Sequence, residues 1–149
     1  MKIVILGAGA VGSTLANLLS EENDLTIVDS DPVKLHKLEE EADIRTVLGS
    51  ASYPNIQVKA GIKEADMVVA VTGSDEINLV SCMISKVLND SVKTIARVRE
   101  ISYLKGKTKE AMESGQIPVD IHISPEQLIT DHLEGLIEVP GSFQVMEFG

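Results

Sequence analysis

Residues 3–12 read Ile3-Val4-Ile5-Leu6-Gly7-Ala8-Gly9-Ala10-Val11-Gly12, and the next apolar run, Leu25 to Val28, ends at Asp29. The first four residues are apolar on both faces of an extended chain, as in a strand buried inside a sheet. The pattern G-x-G-x-x-G follows at once and opens a helix over 11–21, with Val11, Leu15, Leu18 and Leu19 on one face. In this setting Gly7 makes the turn, Gly9 admits a pyrophosphate against the backbone, and Gly12 lets helix and strand pack closely. The phosphates then meet the helix N-terminus, where free N–H groups and the dipole favour anions. Asp29 stands 17 residues beyond Gly12, near the spacing of about 20 at which an acid takes the adenosine ribose. Its carboxylate accepts both ribose hydroxyls and repels a 2′-phosphate. No arginine follows in Ser30-Asp31-Pro32-Val33, and Lys34 is the one cation nearby. NAD(H) is therefore favoured over NADP(H). The residues expected to bind it here are Gly7, Ala8, Gly9, Ala10, Val11, Gly12, Asp29 and Ser30. A glycine turn with a capping aspartate is the plain alternative.

Outward from this unit, strands and helices alternate. Asp31 and Pro32 start a second helix as N-cap and first helical residue, with Leu35 and Leu38 inward. Arg45 to Leu48 makes a third strand, followed by the turn Gly49-Ser50-Ala51-Ser52 and a short helix over 54–60 that ends at Gly61. Met67 to Val71 is a fourth strand, wholly apolar, and the helix over 76–88 carries Leu79, Val80, Met83 and Val87. Thr94 to Val98 is the fifth strand and Val119 to Ile123 the sixth, with a helix over 102–114 interrupted by Gly106. Such alternation means right-handed βαβ units. The fold expected is α/β, a doubly wound, mostly parallel six-stranded sheet of Rossmann type in the order 3-2-1-4-5-6, with helices on both faces. A last helix runs over 125–137. Val139-Pro140-Gly141 breaks it, and Gln144 to Phe148 has the pattern of one more strand. That strand either closes the domain edge or begins a second domain.

The remaining candidate residues lie at the carboxyl ends of strands, where open α/β sheets bind ligands. Gly49, Ser50 and Ala51 would border an adenine. Thr72, Gly73 and Ser74 would meet the second phosphate or ribose, with Asn78 one helical turn further on; capping of the helix by Ser74 or Asp75 is the alternative. Arg97, on strand five, needs an anion, which is either a bound phosphate or a structural carboxylate. Catalytic groups are missing from this arrangement. His36, His122 and His132 do not follow the nucleotide-proximal turns, and Cys82, among Val80, Met83 and Ile84, reads as a small buried hydrophobe. No catalytic or metal-binding residue is expected.

The whole chain has 149 residues, enough for one domain, and its 23 acidic against 13 basic side chains give a formal charge of −10. That charge repels nucleic acid and anionic membrane surfaces alike. A single cysteine excludes internal disulfides and points to a reducing, cytoplasmic setting. No run approaches the ~20 apolar residues of a membrane span, and Ile3–Leu6 is too short for a secretory signal. A soluble chain with no direct membrane insertion is expected.

The stretches Met1 to Gly12, Ile27 to Asp31, Ala60 to Asn78, Ile95 to Arg99 and Ile123 to Leu128 together resemble the TrkA-type potassium-uptake regulators, within the regulators of potassium conductance. The resemblance spans nearly the whole chain. It implies a cytosolic nucleotide-sensing subunit, peripheral on the inner face of the cell membrane, that gates a membrane-embedded potassium channel or transporter. It implies NAD(H) at Gly7 to Val11, Asp29, Thr72, Gly73 and Arg97, with ATP or ADP as alternatives at the same turn. One departure is Gly49-Ser50-Ala51, where family members often have Gly-Asp-Ala. The implied division is 1–138 as the nucleotide domain and 139–149 as a hinge and the first strand of a truncated C-terminal ligand domain. The helix over 125–137, apolar at Leu128, Ile129, Leu133, Leu136 and Ile137, would pair two copies in a homo-oligomer. The competing reading is the cofactor domain of a small NAD-dependent oxidoreductase.

Overall fold

The structure, a computed structural model, describes residues 1–124. The expected helix over 125–137 with His132, the break at 139–141 and the strand from Gln144 lie outside the described residues.

Strand β1 (Lys2–Leu6) has no exposed surface from Ile3 onward, as its two-sided apolar pattern requires. It lies between β2 (Asp24–Asp29) and β4 (Met67–Ala70), with β3 (Arg45–Leu48) outside β2 and β5 (Lys93–Arg97) and β6 (Ile121–Ile123) outside β4. Every pair is parallel, and the order is β3-β2-β1-β4-β5-β6. Alternate residues of β1 feed two cores. Ile3 and Ile5 pack with Leu15, Leu19, Leu35 and Leu38 of helices α1 (Ala10–Leu19) and α2 (Pro32–Glu41). Val4 and Leu6 pack on the other face, with Ile56 of α3 (Pro54–Lys59) and Cys82 of α4 (Asp75–Leu88). Each large side chain buried this way contributes roughly 1.5–3 kcal/mol. Because the chain leaves β1 toward one face and β4 toward the other, a crevice opens at the carboxyl ends of these neighbouring strands.

Several local expectations change. The first helix begins at Ala10 and stops at Leu19, and Leu18 stays 43% exposed instead of joining the inward face. The sixth strand is shorter than 119–123, since Val119 hydrogen-bonds to Ile117 in a turn before Ile121 reaches β5. The expected helix over 102–114 is two pieces, a 3₁₀ turn (Ile101–Leu104) and α5 (Gly106–Ser114). Gly106 is the joint between them, the first residue of α5.

Helix α4 turns most of its apolar residues outward, with Leu79 half-buried against the core. Val80, Met83 and Val87 are 42%, 45% and 77% exposed, while Asn78, Ser81, Cys82 and Ser85 have no exposed surface. The inward face meets apolar sheet residues at Cys82 and a buried amide at Ser81 and Ser85. Gln57 of α3, fully buried, donates from Nε2 to the carbonyls of Ala51 (2.9 Å) and Ser81 (3.0 Å) and accepts from the Ser85 hydroxyl (2.7 Å). Satisfied buried amides cost little, whereas orphaned ones cost about 1–3 kcal/mol each. Val87→Ser should therefore change stability by less than about 0.5 kcal/mol, and Gln57→Ala should lower it by about 2–3 kcal/mol. Urea unfolding of the two variants measures the contrast, which an inward-facing Val87 would reverse.

Candidate functional site

The turn after β1 is pinned on three sides. Gly7 takes φ +117°, a backbone conformation that favours glycine, and its N–H donates to the Val28 carbonyl (2.8 Å). A Cβ on Gly12 would lie 1.8 Å from the Gly7 carbonyl oxygen, so α1 rests directly on the turn that precedes it. Asp29, at the end of β2, supplies the third tie. One carboxylate oxygen accepts from the Ala8 N–H (2.7 Å) and the other from the Asp31 N–H (2.8 Å). Asp31 in turn caps α2 by accepting from the Val33 N–H (2.9 Å). The aspartate therefore joins the glycine turn to the start of the next helix and lines the crevice.

Gly9 is different. A Cβ there would meet nothing within 4 Å. The glycine guards empty space at the N-terminus of α1, which no side chain caps, whereas α2 and α4 are capped by Asp31 and Ser74. The N-terminal N–H groups of α1 and their partial positive charge thus face the crevice.

That crevice is a cleft of ≈ 400 Å³, within the usual range for small-molecule sites. Twelve expected residues line it together: Gly7, Gly9, Ala10, Val11, Asp29, Ser30, Gly49, Ser50, Ala51, Thr72, Gly73 and Arg97. Four others do not line it. Ala8 and Gly12 serve it from behind through the contacts above, Ser74 borders a shallower groove with Gly73 and Arg99, and Asn78 lies buried beneath the rim. Four lining residues were not expected to bind. Val28 and Val71 are legible as the residues at strand ends, and Lys34 as the cation in the first turn of α2; Ile77 belongs to the outward stripe of α4, whose direction the sequence pattern hides.

Arg97 carries the clearest chemical signal. Its Nε is buried and has no hydrogen-bond partner, and no ion pair holds the side chain among the described residues. Leaving such a donor unmade is costly, so an anion at this place would repay it. Only Asp29, Lys34 and Arg97 among the lining residues carry charge, giving a cleft with two cations against one carboxylate. Cys82 is no nucleophile: burial pushes its thiol up to about 12. His36 is exposed beside Glu39 and Glu40, and His122 lies on β6 away from the cleft. Among the described residues no cluster of three or more His, Cys, Asp or Glu could hold a metal ion.

Residues 3–125 match the model of the TrkA-N domain family. The chain is 50% identical over 149 residues to the Trk system potassium uptake protein TrkA of Halomonas elongata, covering 99% of this chain and 32% of that protein. The chain thus spans about a third of the length of the curated relatives it matches. In three dimensions it is similar to the TrkA-N domain of the inner membrane protein ybaL from Escherichia coli, with TM-score 0.70 and 18% identity over 92% of this chain and 94% of that one. It is also similar to the GsuK channel bound to NAD, with TM-score 0.67 and 21% identity over 82% of this chain and 21% of that one. At these identities the likeness concerns the fold.

The two glycines separate packing from space. Gly12→Ala should destabilise the protein by about 3 kcal/mol through backbone overlap, while Gly9→Ala should stay within about 0.5 kcal/mol of the parent. Urea denaturation curves give both values; equal losses would mean that Gly9 is packed and the cleft floor is closed.

Proposed function

The chain belongs to the TrkA-N domain family, and on that footing we propose that it is the nucleotide-sensing domain of a potassium-uptake regulator. It binds NAD(H) in the cleft between the glycine turn, Asp29 and Arg97, with ATP or ADP as competitors at the same turn. The observation that carries this reading is that Arg97, whose buried Nε has no partner, lines the same cleft as the uncapped N-terminus of α1. A pyrophosphate satisfies both, and Asp29 at the far side takes the adenosine ribose. Support also comes from the neighbours, since the GsuK channel has been solved bound to NAD and bound to ADP.

The cleft offers a carboxylate, a lysine and an arginine but no group placed to shuttle a proton, which fits a sensor better than an oxidoreductase. A sensor works only through ligands that favour different conformations. A tenfold difference in their affinity for two states supplies about 1.4 kcal/mol of bias. The receiver we propose is a membrane-embedded potassium channel or transporter, met from the cytoplasmic face through protein contacts. No helix among the described residues is long and apolar enough to cross a membrane. Pairing of copies through 125–137 would let a small change at one cleft add to that of its neighbour.

Asp29 provides the test. Isothermal titration should show NADH binding at least tenfold more tightly than NADPH, a gap of about 1.4 kcal/mol set by repulsion between carboxylate and 2′-phosphate. Asp29→Asn keeps the side chain's size, removes its charge and should narrow that gap. Equal affinity of the parent protein for the two ligands would overturn the assignment.

A further inference from the structure

Asn78 has no exposed surface, yet its carboxamide makes four hydrogen bonds at the rim of the cleft. Its Oδ1 accepts from the Thr72 N–H (2.9 Å) and from the Thr72 hydroxyl (2.6 Å). Its Nδ2 donates to the carbonyls of Thr72 (3.2 Å) and Arg97 (2.9 Å). These use both amide protons and both carbonyl lone pairs. The orientation is fixed, because turning the amide over would set N–H against N–H and oxygen against two carbonyls. The ladder between β4 and β5 ends at Ala70 and Ala96. Beyond it Asn78 takes the place of a strand partner, tying the backbone of Thr72 to that of Arg97.

The bond to the hydroxyl has a chemical consequence. Thr72 Oγ1 has one proton and two possible acceptors, Asn78 Oδ1 at 2.6 Å and the Ser74 carbonyl at 3.2 Å. The much shorter contact takes it. One lone pair of Oγ1 then receives the Ser74 N–H (3.3 Å), and the other is left. Thr72 lines the cleft, and a hydroxyl whose proton is committed to Asn78 can offer a ligand there only an acceptor. A phosphate oxygen at that point would meet a lone pair; a sugar hydroxyl would donate into it. Arg97, beside it on β5, offers only donors.

From this we propose that Asn78 is a positioning residue that fixes the polarity of the distal rim, so that the cleft prefers a dinucleotide, with a second ribose beyond its pyrophosphate, over a nucleoside diphosphate. Arg97 takes the pyrophosphate and Thr72 Oγ1 takes a hydroxyl of the second ribose. The proposal rests on the nucleotide reading above and narrows it. Asn78 itself touches no ligand.

The experiment is calorimetric titration of the chain and of two variants with AMP, ADP and NADH. Thr72→Val removes the acceptor while leaving Asn78 its three backbone hydrogen bonds. Asn78→Asp keeps the shape, but its carboxylate cannot donate to the two carbonyls. Thr72→Val should weaken NADH about tenfold, the loss of one or two hydrogen bonds, and leave ADP and AMP within about twofold, a shift too small to be a lost hydrogen bond. Thr72→Ser, which keeps the hydroxyl, should restore NADH binding. Asn78→Asp should weaken NADH more than AMP, and circular dichroism of each variant reports whether it is folded. Parallel losses for all three ligands, or no loss for NADH, would overturn the inference while leaving the nucleotide site standing. A parent protein that binds none of the three would overturn the site itself, and this inference with it.

Discussion

The close contact between the Cα of Gly12 and the carbonyl of Gly7 is the constraint on which the rest of the molecule depends. It sets the start of α1 directly above the end of β1, so the helix N-terminus and the exit of the central strand share one place in space. With any side chain at Gly12 the helix would stand off the turn, and the N–H groups at its start would no longer aim along the strand end. Asp29 holds the same turn from the neighbouring strand through Ala8, and carries the connection on to α2 through Asp31. The cleft is thus a product of backbone packing. Only with that packing fixed do Asp29 and Arg97 come to line one cleft.

Helix α4 shows how a site can recruit the core. Its inward face carries Asn78, Ser81 and Ser85; the Asn78 and Ser85 side chains bond to neighbouring elements, while Ser81 contributes only its backbone carbonyl and its buried hydroxyl has no partner. Asn78 braces the ends of β4 and β5 at one side of the cleft, and Gln57, held by Ser81 and Ser85, braces Ala51 at the other. Two walls of the cleft therefore hang from one helix.

Strand order and the glycine–aspartate core of the site were legible in the sequence because each depends on local pattern. Two-sided apolar runs can only be central strands, and a glycine triplet between strand and helix has few other uses. The orientation of α4 was not legible. Ile77, Val80, Met83 and Val87 repeat at helical spacing, and hydrophobic periodicity is normally an inward signal. Here the buried side is specified by hydrogen bonds to Gln57, Thr72 and Arg97, which are remote in sequence and invisible to periodicity. The same reason explains Asn78. One helical turn beyond Ser74 it reads as a ligand contact, and only the spatial meeting of Thr72 with Arg97 reveals it as the brace beneath them. Arg97 was the opposite case. A lone arginine ending an apolar strand announces an anion, and its unpaired Nε keeps that expectation alive.

The central claim is that a nucleotide lies across the carboxyl ends of β1, β2, β4 and β5. Backbone amide NMR of the isotope-labelled chain during titration with NADH tests it most directly. The account predicts saturable shifts that are largest at the amides of Gly7 to Val11, at Asp29 and Ser30, and at Thr72, Gly73 and Arg97. Saturable shifts confined to the opposite ends of the strands, around Asp24, Asp66 and Lys93, or no shifts at millimolar NADH, would contradict it.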